Sequence, residues 1–390
     1  MTGFSRIEID GFRRLRGIDL KMRPLCALIG ANGSGKASFL EAFSLLAASA
    51  QGRLASRVSD SGGIQALATM GGPLEIRFGL HAECRQPSRM PDGPLNPIEY
   101  QLKLHATGDG GYFIAAECLS ESRSKDGPPF KHIDSGLRNV KYSADEGDPI
   151  TPTWQHDHSE TSLYQVPKTF IEPEGFREGL ASSTFYHALN VDRGARVRLP
   201  QPMQPASLPG KDGEHLTSCL YSLRETNRDR FEAIENALHA AFPNFERLEF
   251  PPVANGTLAL TWREKPFSKS LSAHQLSEGA LRFLWLTTLL QSPGLTEVTL
   301  IDKPEVGLHP ELLRLIADLL REASTRSRII VATHSDVLVR FLKPEEVLVV
   351  DLDDEGAARL TWANTLDLDQ WLQEYTLDEV WRMGRMGGRR

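Results

Sequence analysis

The chain has 390 residues, 40% of them hydrophobic and 24% charged, with a mean hydropathy of -0.30, which is ordinary for a globular protein and excludes wholesale disorder. A net charge of -7 excludes a nucleic-acid binder that works by bulk charge. No apolar run reaches the ~18 residues of a membrane span, and Met1 to Arg6 lacks the apolar core of a signal peptide, so a cytoplasmic protein with no membrane partner is expected.

Single cores seldom grow far past ~250 to 300 residues, so a core interrupted by a long insertion is expected. Ile7 to Ile9 alternate with charge, Gly11 and Gly17 punctuate, and the apolar run Leu25 to Ile29 stands directly before Gly30-Ala31-Asn32-Gly33-Ser34-Gly35-Lys36. Ser38 to Ala48 then carries helical apolar spacing without a breaker. Strand, glycine loop and helix form the context in which G-x-x-x-x-G-K binds phosphate. Backbone N–H groups turn inward around the phosphate oxygens, the helix presents its positive end, and Lys36 reaches the β and γ phosphates.

From Leu74 to Leu119 the pattern alternates, with Gly108-Asp109-Gly110-Gly111 as a hairpin turn, and an antiparallel sheet is expected there. Residues 120 to 170, rich in Ser, Asp, Gly, Pro and His, read as long loops or a mobile segment. Four prolines between Pro200 and Pro209 rule out a continuous helix. Helices resume through Leu216, Cys219, Leu220 and Leu223, then Phe231, Ile234, Leu238 and Phe242, and strands Leu248 to Phe250 and Thr257 to Trp262 follow. Residues from about 80 to 255 therefore read as the insertion, giving three parts: 1–79 with the glycine loop, 80–255 as antiparallel lobe and mixed insertion, and 256–390 as the second half of the core.

In that last part, Leu276-Ser277-Glu278-Gly279-Ala280-Leu281-Arg282-Phe283 begins a helix whose start can offer N–H groups and a hydroxyl to an anion. Alone it is an N-cap. The apolar strand Val298 to Asp302 ends in a carboxylate that in P-loop proteins holds Mg²⁺, and Arg328 to Thr333 is a second strand, ending at His334. Taken singly, each could be a strand that simply stops there.

In this order the four elements resemble the ABC-type ATPase heads of the SMC and RecF class, most closely the ATPases grouped with the overcoming-lysogenisation-defect proteins. The resemblance rests on Gly30 to Lys36, Leu276 to Phe283, Leu300 to Pro310 and His334. It extends to Ile9 to Arg13, Asp212 to Leu216, Leu377 to Trp381 and Gly387-Gly388, leaving out roughly residues 120 to 170. It implies an α/β fold of P-loop NTPase, ABC-ATPase head type: a mixed central sheet, an antiparallel lobe and a helical insertion. It further implies ATP and Mg²⁺ as cofactors. Gly30, Ala31, Asn32, Gly33, Ser34, Gly35, Lys36, Ala37 and Ser38 would hold nucleotide, Asp302 the metal, and His334 would act as the switch histidine. Such heads close in pairs, so Ser277 and Gly279 would act across a homodimer sandwich. A nuclease or toxin protein partner in DNA maintenance or phage defence is implied too, while only 49 residues follow Phe341, too few for a TOPRIM-like nuclease domain.

Two positions depart from that pattern. Ala37 stands where a hydroxyl would reach Mg²⁺, a loss that one more water can cover, because Mg²⁺ keeps several waters anyway. Lys303 stands where a glutamate would activate the attacking water. A lysine, with a pKa near ~10.4, stays protonated and repels a divalent cation. Lys303 either pairs with Asp302 or the γ-phosphate, or swings into solvent on its long stem.

Several weaker features complete the reading. Gln65 lies about where such heads place a metal-touching glutamine and also reads as plain loop. His309 matches the turn beyond the acidic strand and is expected at the dimer seam. His156, Asp157 and His158 could bind metal but read as solvent-facing. Cys26, Cys84, Cys118 and Cys219 are scattered, with no zinc or disulfide spacing. Arg13, Arg14, Arg16, Lys21 and Arg23, with Arg382, Arg385, Arg389 and Arg390, read as solvated surface, leaving DNA open as a local partner.

Overall fold

The computed structural model describes residues 3–84, 96–108, 110–123, 127–137, 139–143, 149–153, 155–265, 267–368 and 370–387. Asp109 of the expected hairpin turn, Gly388, Arg389 and Arg390 lie outside them. In chain order, β1 (Phe4–Asp10), β2 (Ile18–Lys21) and β3 (Leu25–Ile29) precede helices α1 (Lys36–Ala50), α2 (Leu54–Asp60) and α3 (Ile64–Leu67). Five strands follow, β4 (Glu75–Cys84), β5 (Asn96–Ala106), β6 (Tyr112–Glu121), β7 (Phe130–Gly136) and β8 (Val140–Tyr142). Next come α4 (Ile171–Ala181), β9 (Thr184–Tyr186), β10 (Gln201–Pro202), α5 (Leu216–Thr226) and α6 (Arg228–Ala241). Short strands β11 (Phe245–Glu249), β12 (Thr257–Leu258), β13 (Thr261–Glu264) and β14 (Leu271–Ser272) lead to α7 (Glu278–Gln291). The rest is β15 (Val298–Asp302), α8 (Leu312–Ala323), β16 (Arg328–Ala332), α9 (Asp336–Arg340), β17 (Val347–Leu352), β18 (Ala358–Trp362) and α10 (Leu377–Arg382).

Two large sheets enclose α1. The core sheet has the order β18-β17-β3-β16-β15-β9, parallel throughout except for the edge pair β17/β18. Strands buried on both faces need apolar side chains at every position, and Leu25 to Ile29 are all buried. Cys26, Leu28, Ile330 and Leu348 face α1, while Ala27, Ile29, Val331 and Val349 pack toward α5, α7 and α8. The second sheet, β2-β1-β4-β5-β6-β7-β8, is antiparallel and covers the other side of α1 with Ile7, Ile9, Phe78, Leu80 and Leu102. Gripped from both sides, α1 buries every residue except Ala37, Glu41 and Ser44, a single i, i+4, i+7 stripe.

Residues 120 to 170, expected as loops, hold β7 and β8. The alternation is masked because polar groups point inward there: His132 and Glu121 are both buried, and their side chains meet at 3.1 Å. The stretch that follows is pinned by another buried carboxylate. Glu117 accepts from Ser162 N at 2.6 Å, Leu163 N at 2.8 Å and Tyr100 Oη at 2.9 Å. β9, too short to signal itself, lies inside the span 80–255 yet pairs with β15 at the edge of the core sheet, and β4 crosses residue 79. Among the described residues no helix is long and apolar enough to cross a membrane.

Replacing Glu117 with Ala leaves three buried donors without an acceptor. At ~1 to 3 kcal/mol each, partly relieved by entering water, the expected loss is about 3 kcal/mol of unfolding free energy. Urea unfolding of the native chain and the E117A variant measures it, and a loss below about 1 kcal/mol would show the anchor to be dispensable.

Candidate functional site

The glycine loop leaves β3 at the middle of the core sheet, where ligands bind beyond the carboxyl ends of parallel strands. Gly30 has φ 152°, and a Cβ there would lie 2.2 Å from Val350 O of the neighbouring strand, so only glycine fits. Gly35, at φ 116°, is the N-cap of α1 and supplies no side-chain cap, and no acidic residue occupies the first turn. The N–H groups that open α1 are thus left for an anion. Ser34 Oγ is buried without a partner in the same loop. An orphaned hydroxyl and uncapped amides around one concavity fit a phosphate group.

Lys36 is the first residue of α1 and only 5% exposed. Its Nζ donates to Gly30 O at 2.7 Å and Ala31 O at 2.8 Å, so the ammonium lies folded on the loop it would serve. Burial pushes it down to about 8, with Asp302 opposing the shift and Lys303 adding to it.

Asp302 ends β15 and pairs in register with Ala332 of β16, next to β3, so the acidic strand end, His334 and the loop share one sheet edge. Lys303 follows at φ 54°, an uncommon conformation for a non-glycine residue, held by its N–H on Ala332 O at 2.8 Å. Thr333 N donates to Leu28 O at 3.1 Å. His334 is driven toward its neutral form by burial, then by Lys36 and Lys303, against the pull of Asp302. A cleft of about 260 Å³ joins Gly33, Gly35, Lys36, Ala37 and Ser38 of the loop side to Asp302, Lys303, Ala332 and His334. Asp302 is the one carboxylate among its lining residues. With phosphate oxygens and waters, one carboxylate suits Mg²⁺, and Lys303 beside it works against the ion.

Some groups are missing from the sequence-level reading. Arg13 and Arg14, read as solvated surface, line the cleft. Arg13 is ion-paired with Glu41 at 2.7 Å, and Arg14 donates to Gly356 O at 2.9 Å. Glu305 accepts from His334 N at 2.9 Å through one oxygen, while the other is buried without a partner. His187, directly after β9, brings Nδ1 to 3.9 Å from Asp302. Of these, Glu305 and Arg13 had a signal, since they stand within the matched segments Leu300 to Pro310 and Ile9 to Arg13.

Ser277 and Gly279 do not line this cleft. Ser277 caps α7 by accepting from Ala280 N at 3.2 Å, and a Cβ on Gly279 would come 3.0 Å from Gly307 O. The helix start therefore lies against the loop after Lys303 in the same chain. Gln65 sits exposed on α3, and His309 is exposed, 3.7 Å from Glu311. His156 lies 3.4 Å from Tyr142 Oη, and among the described residues no group of three His, Cys, Asp or Glu side chains could hold a metal.

The family model described as "AAA domain, putative AbiEii toxin, Type IV TA system" matches residues 108–340, more than half of the chain. The chain belongs to this AAA-domain family. A second model, "Protein of unknown function (DUF2813)", matches residues 3–56, the segment with β1 to β3 and the glycine loop. No curated protein matches the AAA-domain chain significantly. Among solved structures, an SMC head bound to the C-winged helix domain of ScpA is 16% identical at a TM-score of 0.53, covering 92% of this chain and 97% of its own. An SMC head with an extended coiled coil, bound to the C-terminal domain of ScpA derived from Pyrococcus furiosus, is 13% identical at a TM-score of 0.52. It covers 95% of this chain and all of its own. At these identities the likeness establishes the fold: the AAA-domain protein has the P-loop NTPase fold of SMC heads.

Lys36 holds its proton less tightly in the folded chain than in the unfolded one. Its folded value, about 8, lies below the ordinary 10.5, so between those pH values the unfolded chain binds more protons and Lys36 makes stability rise with pH. A triphosphate beside the ammonium pulls the value back up. ATP binding at pH 8 should therefore take up a fraction of a proton, and binding at pH 6 none at this group. Calorimetry in two buffers of different ionisation enthalpy checks this, and a buffer-independent enthalpy at pH 8 would contradict it.

Proposed function

We propose that this AAA-domain protein is an ATP-binding head that closes on a second copy around nucleotide and thereby gates a protein partner, with hydrolysis impaired by Ala37 and Lys303. The observation that carries the reading is the company Lys303 keeps. It lines the same cleft as Lys36 and Asp302, its backbone tied to Ala332, where a water-activating carboxylate would be needed. Two ammonium groups beside one carboxylate suit a triphosphate tail and oppose a divalent ion. The ammonium of Lys303 then shares the γ-phosphate or Asp302 with the metal and partly replaces it.

Gly30 to Ser38 would cradle the nucleotide, Asp302 would hold what Mg²⁺ remains, and His334 would sense the γ-phosphate. Ser277 and Gly279 do not line the cleft of their own chain, which leaves them for use on the nucleotide of a second copy. The partner is proposed as a nuclease or toxin of a DNA-maintenance or phage-defence assembly. The family description, with its toxin–antitoxin wording, and the ScpA domains seated on the related heads are in keeping with that reading.

A second reading rests on the same lysine: a nucleotide-sensing scaffold that holds ATP without turnover. Phosphate release by the native chain and by a variant carrying Lys303→Glu and Ala37→Ser separates the two. Slow release that rises at least ten-fold in the variant supports impaired hydrolysis, and release confined to the variant favours the scaffold. Rapid native release with no gain in the variant contradicts both. Calorimetry with ATP in excess chelator adds a check: binding is expected to persist without Mg²⁺, and its complete loss would remove the role given to Lys303.

A further inference from the structure

Beyond the nucleotide cleft, α1 runs on to a second pocket. The second, about 220 Å³, lies beside Ser44, Ala47, Ala48 and Gln51 and shares no lining residue with the first. At 1.5 Å per helical residue these positions are roughly 12 to 22 Å from Lys36. Its walls come from separate elements: Arg53, Ser56, Arg57 and Asp60 on and before α2, Ser183 and Phe185 at β9, Leu300 of β15, and Lys211 from the segment before α5.

Three cationic side chains and one carboxylate meet there, in a chain whose net charge is -7. Among the described residues neither Arg57, Lys211 nor Asp60 forms an ion pair, although all three line the same pocket. Two polar atoms in the wall are also buried without any hydrogen-bond partner, Arg57 Nε and Ser183 Oγ. Ser183 is 7% exposed, so water does not readily replace the missing partner. Leaving two buried donors unmet at one concavity disfavours the fold unless something accepts from them. Their common need is an oxyanion. Guanidinium groups, an ammonium and hydroxyls lining one small polar cavity fit a phosphate, whose several charged oxygens can accept from more than one of them at once, and the cavity of about 220 Å³ is larger than a phosphate alone.

We propose that this pocket is a second anion site, taking the phosphate of a phosphate ester between Arg57, Lys211 and Ser183. The same chemistry is offered by a nucleic-acid backbone and by a free phosphate ester. Because the pocket lies on the back half of α1, an anion seated there would be sensed by the helix whose first residue holds the nucleotide.

Melting of the full chain with added inorganic phosphate, against chloride at equal ionic strength, tests the site. The native melting temperature should rise saturably, and Arg57→Gln with Lys211→Gln should weaken the apparent affinity at least five-fold. Lys36→Gln, which disables the other anion cradle, should keep most of the response. Ser183→Ala provides a readout that a structural role would not give: melting without phosphate equal to or above native, with a weaker phosphate response. An unchanged response in the double variant, or a response lost only in K36Q, overturns the proposal. Fluorescence anisotropy with a short DNA duplex then names the source. Duplex binding that falls in the R57Q/K211Q variant and competes with phosphate assigns a nucleic-acid backbone, and phosphate binding without duplex binding assigns a free ester.

Discussion

Lys36 sits at the head of a helix that is gripped on both flanks, and its ammonium rests on the carbonyls of the loop it would use to hold phosphate. The rest of the site is arranged around that position. Burying α1 between a parallel and an antiparallel sheet fixes where its uncapped N–H groups point. The strand order then brings Asp302, Lys303 and His334 to the same edge. Because the ammonium is buried, its charge is costly there, and a polyanion arriving in the cleft relieves that cost as well as satisfying Ser34 and the free amides.

In the proposed function Lys303 alters the chemistry of the cleft that it lines beside Lys36 and Asp302. Its backbone keeps the turn at the end of β15, hydrogen-bonded to Ala332, while its side chain brings a positive charge where a carboxylate would polarise water. Glu305, two residues on, is no simple replacement: one oxygen is committed to His334 N, and the cleft does not include it. It ties the loop after the acidic strand end to the backbone of His334.

Much of the core was legible because chemistry and periodicity coincide there. Leu25 to Ile29, the glycines, Lys36, Val298 to Asp302 and Arg328 to His334 are continuous apolar runs that end in polar residues, and such runs can be placed without tertiary information. β9 could not be found, since three residues carry no period, and His187 and the edge of the core sheet were lost with it. β7 and β8 were hidden because His132 and Glu121 are buried polar partners that hydropathy counts as surface. Arg13 and Arg14 read as solvated charge, since only the fold shows that the turn after β1 lies over the nucleotide cleft. The pocket of Arg57, Lys211 and Ser183 draws on residues 154 positions apart in sequence, between Arg57 and Lys211, and no local pattern could join them.

Equilibrium dialysis of labelled ATP against the native chain and a Lys36→Met variant tests the central claim most directly. Tight native binding that falls at least ~30-fold in the variant, about 2 kcal/mol, is the expected result. Equal binding by both, or none by the native chain, would contradict the account.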